Sequence, residues 1–432
     1  MGEILLRDRE AAPEASLDLI TMPATPLSIR DYAAYLVGNR QAILRIAMSK
    51  GAVWIGALLV LSAAFAREYD GEDLRAEPWH LLIPFAASLA TSFVLFSAVW
   101  LAGRKRRIEP MPFWKAYRGF LSLYWATAPL AWLYALPVER FMAPVPAVWF
   151  NYSFLLIVSI WRVAVITRAI AVTNTCSTGA AFSIAVLISM IIATIASILA
   201  PVPVSHFMSG IRIPPDELLA SQLTELMVCG AMPGFLIALI SAFLLIKRDA
   251  AWRFPAEEAP QTRLGRPLIG VSIAAVLIWI PLLPGPQAEQ RLRRDIESAV
   301  GRSDFAGAIQ LLSLHTRTEF PPHWRPPPRI AYDRRKYDTF ILYAEALRQD
   351  APTWVREAYQ NATLAFISPG VPSFDSTTPQ FEALTFLVEN DDTVRQALSW
   401  LTKQKAQGSE PSNRDELAKA IIAELHAMSI NR

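Results

Sequence analysis

Long apolar stretches alternate with short polar connections through the middle of the chain. The stretch LYWATAPLAWLYALPVERF, from Leu123 to Phe141, is apolar and aromatic almost throughout and contains a Glu–Arg pair near its end. A helix needs roughly 20 mainly apolar residues to cross a bilayer core of about 30 Å. Seven stretches approach this length and are predicted to be membrane spans: 50–66, 81–102, 119–136, 147–167, 179–200, 224–246 and 267–284.

The third of these stretches contains Pro129, which removes one helical hydrogen bond. A proline of this kind is tolerated inside a bundle because neighbouring helices satisfy the freed carbonyl group. The stretch is therefore predicted to cross the bilayer. The charges that follow it, Glu139 and Arg140, are interpreted as a solvated cap at the membrane surface, with a catalytic role as the alternative.

The N-terminal segment, 1–49, has a mixed polar pattern. Ser28 is placed to cap a helix that runs from about Ile29 to Lys50, and its apolar residues lie partly on one face. This amphipathic helix is predicted to lie on or just under the inner membrane surface before the first span.

The C-terminal part, 286–432, reads as soluble helical sequence. Its first two helices are predicted to be separated at Gly301, with Asp304 capping the second. Further helices are predicted at 338–349, 351–366, 379–389, 392–406 and 412–429. The predicted fold is therefore all-α: a polytopic bundle of about seven spans at 50–285, followed by a helical soluble domain.

Composition supports the membrane class. Of the 432 residues, 53% are hydrophobic and 18% are charged, and the mean hydropathy is +0.29, whereas soluble domains have about 25% charged residues. The net charge of +3 gives no support for nucleic-acid binding. Cys176 and Cys229 have no metal-type spacing to each other or to a histidine, so neither a metal site nor a cofactor is predicted.

Lysine and arginine are unevenly distributed among the connections. The first 50 residues contain six, 103–118 contain six and 247–266 contain five, whereas the connections between these regions contain one or two each. By the positive-inside rule this alternation predicts a cytoplasmic N-terminus and an extracytoplasmic C-terminal domain. Three arginines lie close behind the seventh stretch and oppose this orientation: Arg291, Arg293 and Arg294. If that stretch does not cross the membrane, the C-terminal domain is cytoplasmic.

Two features inside the spans are candidates for function. Arg162 is the one charge well within an apolar stretch, and it is interpreted as snorkelling to the cytoplasmic surface, with an anion or lipid headgroup contact as the alternative. In GAMPG, Gly230, Pro233 and Gly234 are expected to kink the sixth span. Discontinuous helices build transporter sites, but a packing kink is the more common role.

The sequence contains none of the nucleophile, zinc-protease, phosphate-loop or dinucleotide motifs that would identify an enzyme. No Asp or Glu lies in the core of any predicted span, which disfavours proton-coupled transporters and intramembrane aspartyl proteases. A lipid-modifying enzyme would need His80, His206 and Glu139 to meet on the outer face.

The order of the first five spans resembles the Yip-type membrane domain over about residues 45–200. The shared layout is two spans, a basic connection, an amphipathic stretch entering a proline-containing span (FWKAYRGFLSLYWATAPLAWLY), a span with Trp–Arg near its cytoplasmic end (NYSFLLIVSIWRVAVITRAIAV) and a plain apolar span. Eukaryotic members interact with Rab GTPases, and bacterial relatives, which this chain resembles more, are polytopic proteins of mostly unknown role. The chain adds two spans and a C-terminal domain, and no functional residue is carried over.

These observations predict a non-enzymatic, multi-pass protein of the bacterial inner membrane that organises or recruits partners. Its expected partners are the lipid bilayer and a protein bound through 286–432, and homo-oligomerisation is left open. The second hypothesis is a channel or facilitative carrier in which GAMPG and Arg162 line a path, and the third is the lipid-modifying enzyme.

Overall fold

The computed structural model describes residues 26–103, 112–199, 215–248, 262–322, 324–327, 338–367 and 377–398. Within these ranges the chain is all-helical and has no β-strand. The α-helices, in chain order, are α1 (Ile29–Leu36), α2 (Arg40–Met48), α3 (Ala52–Glu68), α4 (Ile83–Gly103), α5 (Phe113–Trp125), α6 (Pro144–Asn174), α7 (Thr178–Leu199), α8 (Pro215–Arg248), α9 (Arg266–Leu277), α10 (Trp279–Leu282), α11 (Pro284–Gly301), α12 (Phe305–Ser313), α13 (Asp338–Arg348), α14 (Thr353–Ile367) and α15 (Pro379–Asn390). Short 3-10 helices occupy Pro78–Leu81, Ala128–Ala135, Val138–Arg140 and Arg317–Glu319, and a further helical segment occupies 392–398. The predicted helix at 412–429 lies outside the described residues.

Several helices are long and apolar enough to cross a membrane. Four qualify singly: Pro78–Gly103, Pro144–Asn174, Thr178–Ile195 and Gln222–Leu245. Two bent pairs, Arg40–Met48 with Ala52–Glu68 and Arg266–Leu282 with Pro284–Gly301, raise the number to six if each pair is one span. The all-α class with membrane-spanning helices therefore agrees with the prediction, and the described residues give four to six candidate spans where the sequence predicted seven.

The stretch 119–136 is the predicted span that has no counterpart among the six candidates, because it does not form one α-helix. The α-helical part ends at Trp125, and a 3-10 helix follows from Ala128 to Ala135. Pro129 has no N–H to donate to the carbonyl of Trp125, and in a continuous α-helix its ring would clash with that carbonyl. The predicted continuous span is thus corrected to an α-helix and a 3-10 helix in series.

Ser28 caps α1 as predicted. Its hydroxyl accepts a hydrogen bond from the amide of Asp31, and the Asp31 carboxylate accepts one from the amide of Ser28 at 2.7 Å. Arg45 of α2 pairs with the same carboxylate at 2.8 Å, so the cap also joins α1 to α2.

The single helix predicted from Ile29 to Lys50 is two helices. Gly38 adopts φ +80, a left-handed conformation that favours glycine, and ends α1. Asn39 then caps α2 by accepting from the amide of Ala42 at 3.1 Å. The axis of α2 makes an angle of 102° with that of α3, so the two helices do not form one straight segment.

The membrane helices meet at two ends of one bundle. At the first end (26–51 and 262–266), Leu27 donates to the carbonyl of Arg263 at 2.7 Å and accepts from the amide of Gly265 at 2.9 Å. At the second end (69–80, 135–141 and 284–294), the hydroxyl of Tyr69 donates to the carbonyl of Ala135 at 3.0 Å. The chain segments at each end are distant in sequence, so these contacts fix how the helices are arranged.

Two separate hydrophobic cores organise the described residues. The first is built by α1–α9, and the second by α11–α15 with the segment 392–398. Beyond Leu282, Leu314 is the one large apolar side chain of the described residues that is exposed, whereas many are exposed on α3–α10. Gly301 ends α11 and Asp304 caps α12 by accepting from the amide of Gly307 at 3.0 Å, as predicted.

A buried carboxylate lies inside the second core. Asp391 accepts hydrogen bonds from the hydroxyl of Tyr343, the side-chain amide of Gln360 at 2.9 Å and the backbone amide of Thr393 at 2.7 Å. Burial raises the pKa of Asp391, but these hydrogen bonds outweigh it and hold the pKa below its usual value.

We expect Gly119→Ala to destabilise the membrane bundle by about 1–3 kcal/mol, the usual cost of overpacking. A Cβ at Gly119 would lie 2.7 Å from the carbonyl oxygen of Ala47, a backbone atom that cannot rotate away. Gly270→Ala is the matched control, because a Cβ added at Gly270 would have no other atom within 4 Å. Thermal unfolding in detergent should show a lower midpoint for the first variant alone; equal midpoints would contradict this packing.

We expect Asp391→Asn to reduce the acid sensitivity of the second core. A carboxyl group whose folded pKa is depressed contributes stability above its unfolded pKa, near 3.9, and that contribution is lost as the pH falls through the folded pKa. The fall in thermal midpoint between pH 7 and strongly acidic pH should therefore be smaller in the variant. Asp392→Asn, whose side chain is 79% exposed, is the control; an equal fall in both variants would refute the expectation.

Candidate functional site

The densest group of charged and buried polar side chains lies at the second end of the bundle, where α11 meets the loop after α3. Gln287 accepts from the amide of Leu74 at 2.7 Å and donates to the carbonyls of Tyr69 and Glu72 at 3.0 and 2.8 Å. Gln290 donates to the carbonyl of Asp70 at 2.7 Å. Both glutamines are buried, so α11 binds this loop mainly through the loop backbone. We call this assembly of loop 69–77 with the start of α11 the junction.

Arginines extend the junction along the same face of α11. Arg293 donates to the carbonyl of Gly71 at 2.7 Å and to the carboxylate of Glu72 at 2.9 Å. Arg294 pairs with Asp73 at 2.9 Å, and the Asp73 side chain is only 2% exposed. The helical spacing of three and four residues from Gln287 to Arg294 places all these groups opposite the loop.

Arg140 joins a third segment to the junction. Its guanidinium donates to Asp70, with Nε at 2.9 Å, and to Glu289, with Nη1 at 3.1 Å. These hydrogen bonds to two carboxylates raise the pKa of Arg140 above its usual range, so it stays charged. One side chain thereby connects the 3-10 helix Val138–Arg140, the loop after α3 and the start of α11.

A polar cavity of about 290 Å³ opens beside the junction. Its walls combine acidic and basic side chains: Glu72, Asp73, Glu77, Arg293, Arg294, Glu297 and Ser298. Next to it, ligand atoms of Glu72, Glu77 and His80 lie within 4.8 Å of one another, a spacing that could hold a metal ion. Each of these carboxylates already lies near a basic side chain: Arg293 pairs with Glu72 and Glu297, Arg294 pairs with Asp73, and His80 lies 3.4 Å from Glu77.

Two predicted site residues therefore lie at this end of the bundle. Arg140 is a central member of the junction, with its side chain 22% exposed. Glu139 is directed elsewhere and accepts from the side-chain amide of Asn151 on α6. The interpretation of both as a solvated cap omitted these partners, because Asp70 and Glu289 are far from Arg140 in sequence.

The candidates inside the spans do not contact one another. Arg162 on α6 stacks on the ring of Tyr124 at 4.4 Å. A Cβ added at Gly234 would contact Met190 of α7, whereas one added at Gly230 would have no other atom within 4 Å. The helix α8 continues through Pro233. Pro233 is exposed on the surface of α8, so its side chain does not line a site inside the bundle.

The three residues considered for a lipid-modifying site are not assembled by the described contacts. His80 lies 3.4 Å from Glu77, whereas Glu139 bonds to Asn151. His206 lies outside the described residues. Sequence reasoning missed Gln287, Gln290 and Asp70; the available signal was the complementary charge of DGED in the loop and RLRR in α11.

Comparison of the chain with protein-family models, with curated proteins and with solved structures gives no match. The resemblance to the Yip-type family therefore stays a prediction from the order of the spans.

We expect Arg140→Gln to weaken the junction by about 2 kcal/mol, the typical value of hydrogen bonds to charged groups. The substitution leaves Asp70 and Glu289 without their shared cation. Amide hydrogen exchange of the full chain should become faster in loop 69–77. Arg67→Gln is the control, because its side chain is 66% exposed and pairs with its sequence neighbour Glu68; similar exchange in both variants would argue against a connecting role for Arg140.

Proposed function

We propose that the chain is a multi-pass membrane protein that holds a helical domain, 286–432, at the membrane surface to recruit a protein partner. The observation that carries this proposal is the difference between its two cores. The first core has an apolar exterior suited to lipid, and the described surface of the second has little exposed apolar side chain. The proposed membrane is the inner membrane of a bacterium.

The contacts at the two ends support seven crossings. A Cβ on Gly56 would lie 2.7 Å from the Cβ of Trp125, and Tyr69 bonds to Ala135, so the broken third element runs beside α3. From Gly56 to Tyr69, α3 rises about 20 Å at 1.5 Å per residue. From Trp125 to Ala135 the chain also rises about 20 Å at the 3-10 value of 2.0 Å. The broken element thus runs beside α3 over a matching length, about two thirds of a bilayer core of about 30 Å.

The distribution of basic residues supports a cytoplasmic first end. The segments 26–51 and 262–266, together with the start of α5, which packs on Ala47, contain eight basic residues: Arg30, Arg40, Arg45, Lys50, Lys115, Arg118, Arg263 and Arg266. At the second end, Arg140, Arg293 and Arg294 are paired with acids of the adjoining segments. With seven crossings, the helical domain would lie on the extracytoplasmic side.

The junction supports a presenting role. A domain on a flexible linker would take many orientations, whereas α11 is bonded to loop 69–77 and to Arg140 near the membrane. A fixed orientation lowers the entropy lost when a partner binds. The Yip-like order of spans is consistent with such an organising role.

Cysteine labelling tests the orientation. In a background with Cys176 and Cys229 replaced, Val37→Cys and Leu314→Cys place single thiols at the first end and on the second core, at positions 78% and 71% exposed. A membrane-impermeant maleimide should label Leu314→Cys in intact cells and Val37→Cys only after permeabilisation. The reverse pattern would place the helical domain in the cytoplasm.

Photo-crosslinking tests recruitment. A photoreactive amino acid at Leu314 or at Glu382, whose side chain is 81% exposed, should give one discrete heterologous protein adduct in cells. As the control, the photoreactive amino acid replaces Leu236 of α8, which is 57% exposed on the apolar surface. At this position it should react with lipid. Absence of a protein adduct at both domain positions would reject recruitment, and adducts of the chain with itself would indicate a homo-oligomer instead.

A further inference from the structure

Arg162 is a cation that no described acidic side chain of the bundle balances. Its guanidinium lies over the ring of Tyr124, 4.4 Å from the ring centre, and its Nε is buried without a hydrogen-bond partner. Among the described residues, no carboxylate pairs with it and no acceptor binds it. The stacking holds the planar group in place but supplies no negative charge.

The surroundings make this lack of a partner costly. Arg162 follows a long apolar run of α6 and lies over the ring of Tyr124, itself a buried residue. A charged side chain in an apolar membrane region is stabilised by an opposite charge or by polar headgroups. The nearest source of negative charge outside the protein is the phosphate of a lipid.

Two neighbouring contacts place Arg162 close to the first end of the bundle. The indole N–H of Trp161 donates to the carbonyl of Leu36, the last residue of α1, at 2.8 Å. Arg168, further along α6, donates to the carbonyl of Gly38 at 3.3 Å. Since α1 and α2 belong to that end, a guanidinium at this level is within reach of headgroup phosphates.

We propose that Arg162 and the ring of Tyr124 form a phosphate-binding site for the headgroup of an anionic phospholipid at the first end. The planar guanidinium can donate two parallel hydrogen bonds to phosphate oxygens, and the ring below it fixes the plane in which they point. The inference rests on the proposed membrane embedding, and it does not depend on recruitment of a protein partner.

Lipid retention by the purified full chain tests the site. Native mass spectrometry would compare phosphatidylglycerol with phosphatidylcholine of the same acyl chains, for the wild type, Arg162→Gln and Arg168→Gln. The wild type should prefer phosphatidylglycerol, and Arg162→Gln should retain it about tenfold less, a factor that the loss of one charge-assisted contact can give. Arg168→Gln removes one charge from the same helix and should keep the preference.

An equal preference in the wild type and Arg162→Gln would overturn the proposal. Displacement of phosphatidylglycerol by millimolar inorganic phosphate, with phosphate itself retained, would assign the same site to a free anion. If Arg162→Gln does not fold, a photoreactive phosphatidylglycerol added to the wild type gives the test: adducts on α5 and α6 near Arg162 support the site, and adducts confined to other helices refute it. Labelling of Val37→Cys and Leu314→Cys measures membrane embedding separately.

Discussion

The arrangement of the molecule depends on the attachment of α11 to the loop that follows α3. Gln287 and Gln290 bind the carbonyls and one amide of that loop, and Arg140 closes the assembly from the side. A loop of this kind has backbone groups that no regular element satisfies, and buried backbone groups need partners. By supplying them, α11 fixes the start of the second core relative to the helices of the first.

The same requirement operates inside the bundle, where polar side chains satisfy carbonyls of neighbouring helices. The hydroxyl of Tyr35 donates to the carbonyl of Leu123 at 2.7 Å, close to the point where Pro129 disrupts the α-helix. The indole of Trp279 donates to Ser62, whose hydroxyl donates to the carbonyl of Ala275. These bonds connect neighbouring elements of the bundle with few charges, as a helical bundle in an apolar solvent requires.

Arg162 and Arg140 show how context decides the role of one residue type. Arg140 has two carboxylates as partners and joins three segments of the chain. Arg162 has an aromatic ring and no described anionic partner. The first can therefore stabilise the fold by itself, whereas the second has only a stacked ring among the described residues.

Local patterns predicted much of the helical organisation. Ser28 and Asp304 were identified as caps because a side-chain oxygen placed just before an apolar periodic segment satisfies free amides within three residues. The break at Gly38 was missed because a glycine in a helical pattern is often tolerated. Its left-handed conformation belongs to the turn that joins α1 to α2. The interruption at Pro129 was noted, but its effect on the span depended on how closely α3 and α5 pack.

Short-range patterns were enough to predict that the chain is helical and where several of its helices begin, because periodicity and capping act over a few residues. They also identified the stretches that are apolar enough for a membrane. The meeting of Arg140 with Asp70 and Glu289, which are 70 and 149 residues away along the chain, follows only from the folded arrangement. A charged pair has the same local pattern whether it is solvated or bonded to a distant partner, and an apolar face has the same pattern against lipid or another helix. The junction therefore became visible only when the long-range contacts were known.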